Sequence, residues 1–338
     1  MSETWYEATA QRGQTRAPLK GEAEADVCII GGGLAGLTAA LELARRRKRV
    51  VLLEAKTLAW GASGRNGGFV SNGFAESLDN ISRKAGIDGA KALFNLSCLG
   101  TGFVRGEIAG DNGIMGGEGW IAARRYDSAE ALKIDRERLE KVFGDKRQFL
   151  DTEETRARLN SRRYFQSLYD PSAFHVHPLR YALLIARRAE TEGAVLHEQS
   201  PVLEISGSSS NWNVRCGEGK VRAAHVIHTV SSLDRTIHAA TGRGVLPVAT
   251  YVAVTESMQQ DAIRTQSAAS DSRRAGNYFR LVGEGRILWG GAITTRLSPP
   301  AGLAERMRRD MLSVFPQLGR PRVDFAWAGW ATPATRCP

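Results

Sequence analysis

The run Asp26-Val27-Cys28-Ile29-Ile30-Gly31-Gly32-Gly33-Leu34-Ala35-Gly36, followed by Val50-Val51-Leu52-Leu53-Glu54, leaves few folds open to this chain. Val27, Ile29 and Ile30 make the short apolar run of a buried parallel strand. Gly31 opens a tight turn that Gly32 continues. Gly33 lets the backbone approach a pyrophosphate, and Gly36 lets the next helix lie close against the sheet. Leu37, Ala40, Leu41 and Ala44 recur at helical spacing, so an amphipathic helix follows. Its N-terminus would offer free N–H groups and a partial positive charge to an anion. A second strand ends on Glu54, eighteen positions after Gly36, close to the roughly 20 expected for a carboxylate that binds a ribose 2′-OH. That carboxylate would repel a 2′-phosphate, so FAD or NAD fits better than NADP. A βαβ unit with no nucleotide is the plainer alternative.

With 338 residues the chain is long enough for two domains. No apolar stretch approaches the roughly 20 residues that span a bilayer, and the first twenty residues lack the apolar core of a secretory signal. A cytoplasmic protein with no membrane partner is therefore expected. Cys28, Cys98, Cys216 and Cys337 are scattered without a CxxC pair, which points to neither a zinc site nor a disulfide scaffold. Cys28 reads as a small buried strand residue. The net charge of +10 raises the question of nucleic acid. Its densest cluster, Arg45-Arg46-Arg47-Lys48-Arg49, falls at the C-terminal end of the first helix, where cations complement the helix dipole. No nucleic-acid-binding motif accompanies it, so a solvated basic surface is expected and no nucleic-acid partner.

Residues 1–24 read as a polar lead-in, and 75–165 as mostly helical. Leu132, Leu139 and Phe143 share a helical stripe, and Asp151 with Glu154 suggests a capping box. His177-Pro178-Leu179-Arg180 opens a helix with Leu179, Leu183 and Ala186 inward, ended by Gly193. Short strands are expected at 194–197, 202–205, 212–216 and 224–229, then 247–256. Tyr278–Val282 and Arg286–Gly290 form a hairpin across Gly283-Glu284-Gly285. A helix carrying Leu303, Met307, Met311 and Val314 and a strand at 323–327 follow. The fold class is α/β: a Rossmann-type nucleotide domain, with a parallel sheet and β-meander, interleaved with an α+β substrate domain built on an antiparallel sheet. The expected boundaries are 25–74 and 170–240 for the first, and 75–169 and 241–330 for the second.

A second loop, Trp60-Gly61-Ala62-Ser63-Gly64-Arg65-Asn66-Gly67-Gly68, narrows the cofactor. Its glycines let backbone N–H groups converge on an anion, and Ser63, Arg65 and Asn66 add side-chain donors. A flexible surface loop is the bland reading. At this point the chain resembles the FAD-dependent oxidoreductases of the D-amino-acid-oxidase superfamily, of the gamma-glutamylputrescine oxidase and glycine/sarcosine oxidase type. The resemblance rests on Trp5-Tyr6-Glu7-Ala8, the Gly31–Glu54 unit, the 60–68 loop, His177-Pro178-Leu179-Arg180-Tyr181, the 194–205 segment, Val245-Leu246-Pro247-Val248-Ala249-Thr250-Tyr251 and Leu288-Trp289-Gly290-Gly291. It covers almost the whole chain.

The resemblance implies FAD, with Gly31, Gly32, Gly33 and Gly36 shaping the pyrophosphate turn and Glu54 on the adenosine ribose. Lys56 would lie beside that ribose, and Val202 would meet adenine through its backbone. Ser63, Gly64, Arg65, Asn66, Gly67 and Gly68 would follow the pyrophosphate, ribityl and flavin portion. The loop holds no histidine, so non-covalent FAD is expected. The implied chemistry is oxidation of a C–N bond in a small-molecule amine or amino acid. Hydride passes to flavin N5, the imine hydrolyses, and oxygen or another acceptor takes the electrons. No general base is assignable. Tyr251 and Arg280 are candidates to pair with a substrate carboxylate, against the reading that both are ordinary strand residues. His175 and His177 form a His-x-His pair, but no further ligand stands nearby and Pro178 fits a helix start, so no metal is expected. An NAD-dependent dehydrogenase is a lesser alternative.

Two departures from the family pattern stand out. Thr229 is followed by Val230-Ser231-Ser232, where many relatives have a glycine. Relatives also continue past the strand at 325–329 into a glycine-rich flavin contact, a strand and a closing helix, whereas the sequence from Trp330 to Pro338 does not resemble theirs. The expectation is a shortened C-terminus, and with it the alternative of an inactive or FAD-only remnant.

Overall fold

The computed structural model describes residues 3–230, 248–258, 262–273, 276–295 and 299–331. Ser231-Ser232, Val245-Leu246-Pro247, Cys337 and the terminal segment from Thr332 lie outside them.

The first sheet grows from β1 (Gly21–Ile30) and β2 (Val50–Leu53), which pair in parallel. β1 begins six residues before the apolar run, because Gly21–Ala25 lies in parallel register with Gly219–Ala223 of β10 (Gly219–His228). β7 (Val195–His197) extends the parallel part beyond β2. β9 (Asn211–Cys216) and β8 (Val202–Ser208) continue antiparallel from β10 as the expected meander. Helices α2 (Leu34–Arg45) and α6 (Pro178–Thr191) cover one face. There Leu37, Ala40, Leu41 and Ala44 pack in one cluster with Val27, Ile29, Val50 and Leu52. The opposite side chains, Cys28, Ile30, Val51 and Leu53, pack with Val202, Val214, Cys216 and Val221 of the meander strands. Strand alternation thus feeds two cores from one sheet. Burial pushes the Cys28 thiol up to about 12, which leaves it an inert packing group.

The second sheet has nine strands among the described residues. Its path runs β15 (Val323–Ala331), β11 (Val248–Thr255), β14 (Arg286–Thr294), β13 (Tyr278–Val282), β12 (Ala268–Asp271), β4 (Met115–Ala123), β6 (Ser167–Val176) and β3 (Phe69–Val70), with β5 (Gln148–Leu150) also on β6. One face is covered by α7 (Leu303–Leu312), which buries Leu303, Met307 and Met311 against Phe279, Trp289 and Phe315. The Phe279 and Trp289 rings stack at 5.3 Å and Phe315 meets Phe279 edge-on at 5.1 Å. Val252, Val254, Leu288 and Trp327, from the other face, join the cluster built on α2 and α6, so the two sheets share a core.

Local signals held where their chemistry is short-range. Asp151 and Glu154 form the reciprocal capping box of α5 (Thr152–Leu159), and His177 caps α6 with Pro178 in its first turn. The β13–β14 hairpin turns through Glu284 and Gly285 at φ 60° and 70°. The 75–165 region is mostly helical, through α3 (Leu78–Ile108), α4 (Ala129–Phe143) and α5, but it also contains the strands β4 and β5, which were not expected. Glycines hide β4, and packing demands them, since a Cβ at Gly116 would lie 2.4 Å from His175 Nδ1. The domain boundaries also shift, because β3 pairs with Phe174 and His175, which places 69–70 and all of β6 in the second sheet.

No helix among the described residues is long and apolar enough to cross a membrane. The α7 face gives a direct test of the second core. Met307→Ala, at a side chain 1% exposed, is expected to cost about 2–5 kcal/mol in urea unfolding. A loss under about 1 kcal/mol would mean that α7 does not secure that face.

Candidate cofactor site

The turn after β1 is built so that only glycine fits. Gly31 takes φ 107°, its N–H reaches Leu53 O at 2.9 Å, and the Thr229 hydroxyl lies 2.8 Å from Ile30 O and 3.0 Å from Gly31 O. A Cβ at Gly36 would stand 2.0 Å from Gly31 O, and one at Gly33 would stand 2.9 Å from Ser63 Oγ. Helix α2 starts directly on this turn, with Gly33 as its N-cap. The Leu34 N–H donates to Ser63 Oγ at 2.9 Å. The N–H groups of Ala35 and Gly36, still in the first turn, have no acceptor within the helix. A helix end aimed out of a glycine turn is a fitting seat for a diphosphate.

Glu54 closes β2, its Oε2 accepting from Gly32 N–H at 2.7 Å and its Oε1 from Lys56 N–H at 2.8 Å. Each oxygen keeps a second acceptor position. The Lys56 side chain is exposed. Gln199 N–H bonds Lys56 O and Ser200 N–H bonds Glu54 O, which carries Val202 to the same end of the turn. Nearby, the buried Glu198 carboxylate takes the backbone N–H groups of Leu58 and Arg16 at 2.6 and 2.7 Å. Sequence reading overlooked this clamp.

In the 60–68 loop, a 3-10 turn over Ala62–Gly64 leads into four residues whose carbonyl oxygens all point into the protein. Trp327 Nε1–H donates to Arg65 O at 2.9 Å and the Tyr6 hydroxyl to Asn66 O at 2.9 Å. Arg280 Nε–H donates to Gly67 O at 2.8 Å, and Val176 N–H to Gly68 O at 2.8 Å. Two of the expected donor side chains, Arg65 and Asn66, brace the loop itself. Arg65 is buried, its Nε–H donating to Trp60 O at 2.8 Å, and desolvation lowers its pKa. Asn66 Nδ2 donates to Ala62 O and Ser63 O, while Asn66 Oδ1 accepts from Gly68 N–H. Ser63 Oγ accepts from Leu34 N–H, which leaves its own hydroxyl proton to donate. A chain so rich in glycine needs this fastening.

Neither candidate for a substrate carboxylate is placed to serve as one. Arg280 is 2% exposed, and besides Gly67 O it reaches His175 Nδ1 at 3.0 Å, Val176 O at 3.0 Å and Tyr6 Oη at 3.2 Å. Tyr251, equally buried, packs among the side chains on the α7-covered face, the side away from Tyr278 and Arg280. Both histidines are fastened inside. His175 Nε2–H donates to Gln266 O at 2.9 Å. His177 Nδ1 accepts from Arg180 N–H at 3.2 Å, and its Nε2 lies 3.0 Å from the Thr9 hydroxyl. Burial first, then neighbouring arginine charge, pushes each imidazole down to about 3. Tyr6, His175 and Trp327 therefore belong to the site's frame. Only Tyr6 stood in a quoted motif for the family, and nothing local in the sequence marks the other two as its partners.

The site-facing side of the second sheet carries three half-buried rings. Phe69 meets Tyr278 edge-on at 5.6 Å and Trp120 at 6.1 Å, and Trp120 Nε1–H is held by Ser270 Oγ at 2.9 Å. Gly67 and Gly290 are flush against Tyr278, where a Cβ would come within 2.7 and 2.0 Å of its ring. A groove of about 570 Å³ beside the tied loop is lined by Leu34, Asn66, Gly68 and Phe69 and, across from them, by Thr101 and Val104 of α3.

Comparison with known proteins agrees with this geometry. Residues 26–338 match the family model of the FAD dependent oxidoreductases, DAO, and the chain belongs to that family. It is 32% identical to the probable oxidoreductase OrdL of Haemophilus influenzae, over 92% of this chain and 74% of that one. It is 29% identical to gamma-glutamylputrescine oxidoreductase of Escherichia coli, over 96% and 78%. Among solved structures, glycine oxidase from Geobacillus kaustophilus superposes with a TM-score of 0.74 at 21% identity, covering 92% of this chain and 83% of the other. The family's cofactor is FAD, and the glycine turn that any Cβ would block, with the α2 N-terminus beside it, fits it.

Gly36→Ala is expected to weaken FAD retention by at least about tenfold, since the new methyl collides with backbone rather than a movable side chain. Flavin absorbance after gel filtration reads this, and undiminished yellow protein would refute the turn's role. The two histidines set a pH dependence. Their folded pKa values near 3 lie below the ordinary 6.5, so the unfolded chain binds these protons more readily. Stability is complete above about pH 6.5 and falls as the pH drops toward 3. By pH 5 each histidine should have removed about 2 kcal/mol. Urea unfolding at pH 7 and pH 5 measures this, and His175→Asn should shrink the difference between the two.

Proposed function

We propose that this chain oxidises the C–N bond of a small-molecule amine or amino acid, giving an imine that water hydrolyses. The observation that carries this reading is the meeting of two features: the glycine turn on the α2 N-terminus, and a loop with its carbonyls tied back before a wall of three rings. The names borne by the relatives, gamma-glutamylputrescine oxidoreductase and glycine oxidase, support a nitrogen-bearing substrate. Bound FAD supplies the hydride acceptor at its N5, and oxygen or another acceptor receives the electrons afterwards.

The protein's own part is placement and exclusion of water. Phe69, Trp120 and Tyr278 give the substrate's carbon chain an apolar surface. Burial raises the pKa of the Tyr278 hydroxyl, so it stays protonated and able to donate. Amine oxidation needs the free amine when hydride leaves, and a desolvated site with the Arg280 guanidinium nearby disfavours the ammonium form. Non-covalent attachment is supported by the lack of histidine and cysteine in the 60–68 loop and by Cys28 and Cys216 lying in the meander core.

The test is spectroscopic. The purified protein should be yellow, and anaerobic addition of a competent amine or amino acid should bleach the flavin bands. Admitting air should return the colour, with hydrogen peroxide formed if oxygen is the acceptor. A protein that dithionite bleaches but no member of a broad amine and amino-acid panel reduces would sink the reading in favour of an FAD-holding remnant.

A further inference from the structure

We propose that Arg280 is the fixed positive charge of the cofactor seat, stabilising the negative charge that the isoalloxazine ring gains when it is reduced. Three observations carry the assignment. First, the charge is buried and uncancelled. Arg280 is 2% exposed, and its hydrogen-bond partners among the described residues are Gly67 O, Val176 O, the Tyr6 hydroxyl and His175 Nδ1, none of them a carboxylate. Glu118, which faces His175, is held in a two-pronged pair by Arg105 at 2.8 and 2.9 Å. Second, the neighbours are fixed as neutral. His175 presents Nδ1 as an acceptor because its Nε2–H is spent on Gln266 O, and Tyr6 donates its only proton to Asn66 O.

Third, the charge lies directly behind the loop that follows the flavin. Arg280 Nε sits 2.8 Å from Gly67 O, and a Cβ at Gly68 would come within 2.9 Å of Nη2. A single layer of glycine backbone therefore separates guanidinium from ligand space. A buried charge keeps more of its reach than an exposed one, and on its other side Arg280 lines a cavity of about 660 Å³. The orientation of the fork, fixed by four partners, requires no rearrangement as the ring's charge changes. The inference rests on the family's cofactor and on the seat of Gly67 and Gly68 along it. It does not rest on the identity of the substrate.

The experiment uses the FAD-loaded protein without any amine, so a wrong substrate assignment leaves it untouched. The midpoint potential of the bound flavin is measured by dye-coupled titration, and sulfite serves as a second probe. Its sulfur lone pair forms a bond to flavin N5 and leaves the negative charge on the ring, with no other reactant consumed. Arg280→Met should make reduction at least about tenfold less favourable, a fall of about 30 mV for the two-electron couple, and sulfite should bind more weakly by a similar factor. Arg280→Lys, which keeps the charge and loses the fork, should stay much nearer the wild type on both readouts. An Arg280→Met protein that retains FAD with unchanged potential and sulfite affinity overturns the proposal and leaves Arg280 a brace. So does Arg280→Lys falling as far as Arg280→Met. If Arg280→Met does not retain FAD, the other two proteins decide: sulfite adducts in both support the charge, and no adduct in either refutes it.

Discussion

Four consecutive carbonyl oxygens, from Arg65 to Gly68, must be turned inward for this site to exist. Left to itself a Gly-rich segment would scatter them among many conformations, some facing the ligand with lone pairs where donors or bare backbone are needed. Here each carbonyl has its own donor, and the donors come from opposite ends of the chain: Tyr6, Val176, Arg280 and Trp327. No one element could supply all four. The second sheet brings β6, β13 and β15 to one edge of the loop, and the short helix α1 (Trp5–Thr9) brings Tyr6. The site therefore assembles only when both sheets and the N-terminal segment are in place.

That dependence changes the meaning of the first twenty residues. Read as a polar lead-in, they are a strap. Trp5 and Tyr6 pack on the His177 ring at 5.3 and 4.9 Å, Arg12 donates to Leu58 O, and Arg16 pairs with Glu190. Arginine performs the same task elsewhere. Arg45 and Arg188 both hold Glu107, joining α2, α6 and the end of α3, and Arg180 donates to Gly113 O and Thr9 O. A forked, permanently charged donor can satisfy several carbonyls from distant segments at once, which a lysine cannot.

What the sequence made legible follows the range of the interaction. The turn at Gly31–Gly36, the α5 capping box and the β13–β14 hairpin depend on residues within a few positions of each other, and each was readable. The second sheet, antiparallel except where β12 runs parallel to β4, was recognisable in its C-terminal hairpin and missed at β4, where Gly116, Gly117 and Gly119 erase the apolar alternation. The reason they are glycines is visible only in three dimensions: the His175 imidazole lies against Gly116 and Gly117, and the Tyr169 ring against Gly119. Arg280 and Tyr251 show the same limit. Strand pairing decides which face a residue presents, and Ala249, Tyr251 and Ala253 alternate onto the face that α7 covers. Composition drew attention to an arginine and a tyrosine but could not say that one is walled in and the other turned toward α7.

The burial of Arg280 is difficult to explain by stability. Removing a guanidinium from water costs several kcal/mol, and dipolar partners return only part of it. Two carbonyls, a hydroxyl and a neutral imidazole satisfy its hydrogen bonds without neutralising its charge. Apolar side chains of similar volume often serve a folded core as well or better. A neutral donor such as glutamine could also have met Gly67 O. What the guanidinium adds over either is a permanent charge that, being buried, keeps more of its reach than an exposed one. Charge that contributes little to holding the fold, yet sits one backbone layer from the ligand groove, is better accounted for by what the ligand does there.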